Sequence, residues 1–197
     1  MKKAKSSFIN MFLTLLVVCA LAGAALAAVY QATTAPIQQT RAQQQEQAIK
    51  EVLPPFDELK TEKRALETAP NQSVFHKAAA ADSLTLYRAF KNGGSVGTAV
   101  ETFTGKGFGG TIKMMVGFLP DGSICKAAVL SHAETPGLGS KMTDPSFYQQ
   151  FEGKNPATFK LSVKKDGGDV QAITAATISS RAYCDAVSTA YSTVKPE

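Results

Sequence analysis

From Met11 to Tyr30 the chain reads MFLTLLVVCALAGAALAAVY, a run without a charge in which Thr14 is the one conventional polar side chain. About twenty apolar residues in a helix cross the hydrocarbon core of a bilayer, so this stretch ties the start of the chain to a membrane and leaves the rest to fold outside it. Lys2, Lys3 and Lys5 precede the run and no comparable basic cluster follows it. That asymmetry predicts a single pass with the N-terminus in the cytoplasm and the C-terminal part across the inner membrane, in the periplasm of a bacterium. Ala25-Leu26-Ala27 satisfies the small-residue rule for signal cleavage before Ala28. The run is nevertheless longer than the ~7–15 residues of a signal h-region, so a retained anchor in the lipid bilayer is expected.

The remaining length suits one folded unit. The formal charge of +5 falls to about +2 once the three N-terminal lysines are set aside, which argues against a nucleic acid partner. Cys19 lies in the apolar run, and Cys125 and Cys184 lack CxxC spacing, so a metal site is not expected. The latter two could pair in an oxidising compartment, but small buried core residues are the expected reading.

Three segments follow from the patterning. Residues 1–30 are the cytoplasmic N-terminus and anchor. Residues 31–72 form a membrane-proximal helical segment, with Ile37, Arg41, Ala48, Ile49 and Val52 roughly on one face until Pro54 and Pro55 stop the helix. Residues 73–197 form the main domain. There SLTLYRAF, SVGTAVETF and TIKMMVGF read as strands separated by glycine clusters such as Asn92-Gly93-Gly94. The clearest hairpin joins Thr111–Phe118 to Ile124–Leu130 through Leu119-Pro120-Asp121-Gly122, with Ile112, Met114, Val116 and Phe118 alternating onto one buried face. A short helix at PSFYQQF, an extended piece ending near Ile173 and a final helix from Thr177 complete the chain. Ala182, Ala186 and Ala190, beside Tyr183, Val187, Tyr191 and Val194, give that last helix a broad apolar stripe. The fold class is α+β, an antiparallel sheet with packed helices.

No nucleophile–base arrangement, metal-ligand cluster or dinucleotide fingerprint is present, so no catalytic residue is assigned; the glycines of GKGFGG at 105–110 have the wrong spacing for that fingerprint. His76 and His132 are far apart and read as structural or surface histidines. Two loops remain. In HAETPGLG, Pro136 restricts the backbone while Gly137 and Gly139 allow close approach to a planar or anionic ligand. In TAAT, residues 174–177, the small side chains admit a ligand, and Thr177 opens a helix, where free N–H groups and the dipole favour a phosphate. From physical chemistry alone Thr177 reads first as a plain helix cap.

TAATISSRA resembles the flavinylation motif of membrane-anchored, periplasmic FMN-binding subunits: Asp, two residues, Ser or Thr, Gly, Ala, Thr, then Ser or Thr. ETPGLG, residues 134–139, is similar to that family's second signature, and GKGFGG followed by a hairpin to its Gly-aromatic segment. The length resembles the G subunit of the Rnf ion-translocating electron transport complex more than the longer C subunit of the sodium-translocating NADH:quinone reductase. The resemblance implies FMN held by a phosphoester to Thr177, with Thr174 and Ala176 matching motif positions and Ser179 close behind. It further implies a flavin transferase that cleaves FAD with Mg²⁺ and releases AMP, and neighbouring subunits between which electrons pass in a ferredoxin:NAD⁺ oxidoreductase that moves Na⁺ or H⁺. Glu134 and Thr135 are then candidates for polar contacts to the flavin, Leu138 for packing on the ring, Gly137 and Gly139 for backbone approach, and Lys141 for an anionic part. Ala175 stands where the motif has Gly, and Gln171 where it has Asp, with Asp169 two residues early. The alternatives are an FMN-bearing subunit of another membrane reductase, or a membrane-tethered binding or assembly protein without redox function.

Overall fold

The computed structural model describes residues 8–65 and 83–194; His76 and the Lys2, Lys3 and Lys5 cluster lie outside the described residues. The chain divides into two compact units, Met1–Gln44 and Gln45–Glu197.

The first unit is helical. Helix α1 runs from Phe8 to Val52 without interruption, so the anchor and the membrane-proximal helix expected as successive segments are one element. Pro36 lies inside it, where the ring removes a backbone donor; threonines on either side bond back onto the helix, Thr34 to the Tyr30 carbonyl at 2.6 Å and Thr40 to that of Pro36 at 2.9 Å. Large apolar side chains from Phe8 to Tyr30 are exposed along this helix. Among the described residues it is the helix long and apolar enough to cross a membrane.

The second unit contains a five-stranded antiparallel sheet in the order β1-β2-β3-β4-β5, with β1 Glu58–Ala65, β2 Ser83–Lys91, β3 Gly94–Thr104, β4 Ile112–Phe118 and β5 Ile124–Ser131. Asn92 and Gly93 turn β2 into β3 with φ of 50° and 80°, the two left-handed residues of a primed hairpin turn that matches strand twist. The β4–β5 hairpin turns where its Pro-Asp-Gly sequence predicts, the Gly122 N–H donating to the Leu119 carbonyl at 2.9 Å. β1 lies in the 31–72 segment but past Pro54 and Pro55, where the expected helix stops and no strand is expected. Its ELKTEKRA sequence offers only Leu59 as a large apolar side chain, so no period marks it, and it exists by pairing with β2 from Glu58 to Ala65.

Alternation places Leu84, Leu86, Val100, Ile112, Met114, Val116 and Phe118 on one face of the sheet. Helix α3, Thr177–Val194, packs there through Ala182, Tyr183, Ala186, Val187 and Ala190; each large side chain fully buried in this way contributes about 1.5–3 kcal/mol. Tyr183 fills the space under the short helix α2, Pro145–Tyr148, with its ring 5.1 Å from Phe147 and 4.9 Å from Phe151. The opposite face is also covered. Ala48, Ile49, Val52 and Leu53 at the end of α1 pack on Tyr87, Ala89, Ala99 and Met115, so closely that a side chain at Gly117 would overlap the Val52 carbonyl. β4 is therefore buried on both faces rather than on the single face that alternation predicts. Cys184 is buried and Cys125 partly so, both as free thiols, and burial pushes the Cys184 thiol up to about 12.

Candidate functional site

The β3–β4 loop, the segment after β5 and the first turn of α3 are far apart in sequence and meet at one carboxylate. Glu134, only 5% exposed, accepts the Gly109 N–H through Oε1 at 2.9 Å and the Ser179 hydroxyl through Oε2. His132 Nδ1 in turn accepts the Glu134 backbone N–H at 3.2 Å. Glycine makes the approach possible. A Cβ at Gly139 would lie 2.5 Å from both Glu134 Oε2 and Ser179 Oγ, and one at Gly109 would overlap the Ala133 carbonyl.

The TAAT turn feeds α3 from this junction. Ala175 has φ of 61°, a left-handed conformation that disfavours a Cβ by roughly 1–2 kcal/mol. Position 175 thus has a backbone conformation that suits glycine, which alanine meets under strain. Ala176 takes the place of a helix cap: its carbonyl accepts the Ser180 N–H at 3.1 Å, while its own N–H donates to the Ile173 carbonyl at 3.0 Å. Alanine has no side-chain acceptor, and among the described residues no partner is found for the N–H groups of Thr177, Ile178 and Ser179. Free donors at a helix start favour an anion. Thr177 is therefore the first helical residue and not a capping side chain.

The four nearby hydroxyls have different fates. Ser179 is buried and donates to Glu134. Ser180 is buried too, donating to the Ala176 carbonyl at 2.9 Å and accepting the Ile173 N–H at 3.0 Å. Thr174 is exposed and Thr177 half-buried. One turn along the helix from Thr177, Arg181 grips Asp166 through two bonds of 2.6 and 2.7 Å, and that hydrogen-bonded guanidinium holds the Asp166 carboxyl below its usual range.

Of the other residues singled out by sequence, Thr135 closes the ETPGLG loop, its carbonyl accepting the N–H groups of Leu138 at 3.2 Å and Ser140 at 3.3 Å. Gly137 has φ of 76° and donates to Ser140 Oγ at 2.9 Å. Gly139 is buried where the 3₁₀ turn Gly139–Thr143 begins, and Lys141 is exposed on that turn. Leu138 is 41% exposed. Two further apolar residues of the converging segments are exposed: Phe108 at 71% and Ile178 at 47%. Neither is singled out by the sequence pattern, although Phe108 is the aromatic of GKGFGG and Ile178 interrupts a run of hydroxyl residues. Gln171 is held through its backbone, donating to Gln150 Oε1 at 2.7 Å and accepting Gln150 Nε2 at 3.2 Å, while Asp169 accepts the Lys160 N–H at 2.7 Å.

A family model described as an FMN-binding domain matches residues 107–192, a span that contains all three converging segments. The G subunit of the ion-translocating oxidoreductase complex of Methanosarcina acetivorans is 34% identical over 182 residues, covering 92% of this chain and 91% of that one. This chain belongs to the family of those G subunits. The corresponding protein of Vibrio parahaemolyticus is 35% identical over 159 residues, 76% of this chain and 72% of the relative. That of Shewanella piezotolerans is 39% identical over 109 residues, a match that spans 53% of this chain and 51%, about half, of the relative's length. Among solved structures, that of Shewanella oneidensis NqrC is similar with a TM-score of 0.47 at 21% identity, covering 68% of this chain and 76% of that one. Membership of the G-subunit family and the apolar α1 together associate this chain with a membrane.

Proposed function

We propose that this chain is a membrane-anchored flavoprotein subunit that carries FMN in phosphoester linkage to Thr177 and relays electrons inside an Rnf-type ion-translocating ferredoxin:NAD⁺ oxidoreductase. Its folded domain lies on the periplasmic side, as the positive-inside rule predicts for the Lys2, Lys3 and Lys5 cluster. The observation that carries this reading is the setting of Thr177: a half-buried residue at a helix start whose first N–H groups have no partner among the described residues, beside a junction that exposes Phe108, Leu138 and Ile178.

Each part of that setting has a use. Attachment requires Thr177 Oγ to form a bond to the FMN phosphorus of FAD on a flavin transferase with Mg²⁺; the bond to AMP breaks, AMP leaves and the hydroxyl proton is lost. The N–H groups of the first turn of α3 would be the donors that hold the phosphate. Phe108, Leu138 and Ile178 offer apolar surface for the ring, and Lys141 a charge for an anionic part. Covalent attachment also answers a problem of location, since a dissociable cofactor released outside the cytoplasm is not replaced. When bound, FMN supplies the one- and two-electron chemistry, and the protein sets its orientation and exposure.

Ser179 and Ser180 are engaged, so the competition is between Thr177 and Thr174. Co-expression of the full chain with a flavin transferase, followed by a denaturing gel, gives fluorescence on the native chain and on Thr174→Ala, and none on folded Thr177→Ala. A native chain that stays dark would remove the flavin reading and favour a tethered assembly role.

A further inference from the structure

We infer that Glu134 is a positioning residue for the flavin site, acting through the length of its side chain and not through its charge; the inference rests on the reading of Thr177 as the attachment point. Both carboxylate oxygens are already engaged, one by Gly109 N–H and one by the Ser179 hydroxyl, and the side chain is buried. Glycines close it in: a Cβ at Gly107 would lie 2.6 Å from Oε1 and one at Gly139 2.5 Å from Oε2. Each oxygen of the buried carboxylate thus already holds a protein donor and is crowded by glycine backbone, so what Glu134 does at the site it does chiefly through the residues it holds.

Those residues fall in a pattern. Gly109 and Ser179 bond the carboxylate, and Gly107 and Gly139 pack against it; Gly107 follows Lys106, while Gly109, Gly139 and Ser179 each directly follow an exposed apolar side chain, namely Phe108, Leu138 and Ile178. Ser179 also lies two residues past Thr177 on the first turn of α3. One side chain thus ties the backbone that carries Phe108 to the turn that carries Ile178 and Thr177, and packs against the backbone next to Leu138. Lys106 at the start of the β3–β4 loop also reaches α3, its Nζ donating to Asp185 Oδ1 at 2.6 Å, but among the described residues it is Glu134 that links Gly109 to Ser179.

Length and charge make different predictions. Gln is as long as Glu: its carbonyl oxygen accepts the Gly109 N–H and its amide nitrogen donates to Ser179 Oγ, which then acts as acceptor. Asp keeps the charge but is shorter by about 1.5 Å, one carbon–carbon bond, and cannot hold both partners.

The test uses the full-length chain and its E134Q, E134D and E134A variants, each co-expressed with a flavin transferase. Flavin fluorescence on a denaturing gel, the absorption spectrum and reduction potential of the attached flavin, and hydrogen exchange at residues 105–110 are measured for each. E134Q should match the native chain in labelling, spectrum and exchange. E134D and E134A should lose labelling or carry a flavin of shifted spectrum and potential, with faster exchange at 105–110 and unchanged exchange in β4. Native behaviour of folded E134A, or failure of E134Q alongside success of E134D, would overturn the inference. A dark native chain would defeat the attachment reading instead, and the exchange pattern across the three variants would still decide whether Glu134 joins these segments by its length.

Discussion

The layer between α3 and the sheet and the junction at the start of the same helix are held by opposite means. The layer is filled with large side chains, Phe118, Met114, Phe151 and Tyr183 among them, and even leaves a polar atom unpaired: the Tyr183 hydroxyl is buried with no hydrogen-bond partner among the described residues. The junction is built from glycine backbone around a single carboxylate whose two oxygens are both partnered. A packed layer is non-directional and takes its energy from buried area. A junction of hydrogen bonds fixes direction and distance instead. Stability and the geometry of the site should therefore respond to different substitutions.

The largest effect belongs to the packed layer. Phe118→Ala should destabilise the domain by about 3–5 kcal/mol, read from denaturant unfolding, while the molecules that remain folded still label at Thr177. Loss of labelling in folded Phe118→Ala would mean that the two regions are not separable. A smaller effect of opposite sign is expected at Tyr183→Phe. Burial already raises the phenol above its usual range, and deleting an unpartnered hydroxyl should stabilise by about 1 kcal/mol, seen as a higher midpoint with flavin attachment unaffected. The smallest effect is at the TAAT turn. Ala175→Gly relieves the left-handed strain of roughly 1–2 kcal/mol but adds about 0.5–1 kcal/mol of backbone entropy. A net gain between zero and about 1.5 kcal/mol should appear in thermal unfolding, with labelling at least as complete as in the native chain.

The same contrast explains what can be read from the sequence. Alternation in β4 and the alanine stripe of α3 are imprints of burial, so the hairpin, the final helix and the α+β class are legible from period alone. The opposite face of the sheet is less so. A period-two pattern has no way to announce that Met115 and Gly117 meet the end of α1, and β1 carries charges on an exposed edge instead of an apolar face. At the junction, resemblance singles out Thr177 and the ETPGLG loop, but in sequence Glu134 reads as a ligand contact. Its partners, Gly109 and Ser179, lie 25 and 45 residues away, and no local pattern records a hydrogen bond over that distance. Ala175 is the instructive middle case: a departure visible in the motif acquires its physical meaning only from a φ of 61°.

The proposal of covalent flavin turns on one hydroxyl, because Thr174 and Thr177 sit three residues apart on either side of the strained Ala175. The direct measurement is mass analysis of flavin-bearing peptides from the native full-length chain after co-expression with a flavin transferase, fragmented so that each hydroxyl is resolved. The whole FMN phosphoryl mass is expected on Thr177, with Thr174, Ser179 and Ser180 unmodified. FMN on Thr174, or on either serine that the structure shows buried and bonded, would contradict the assignment.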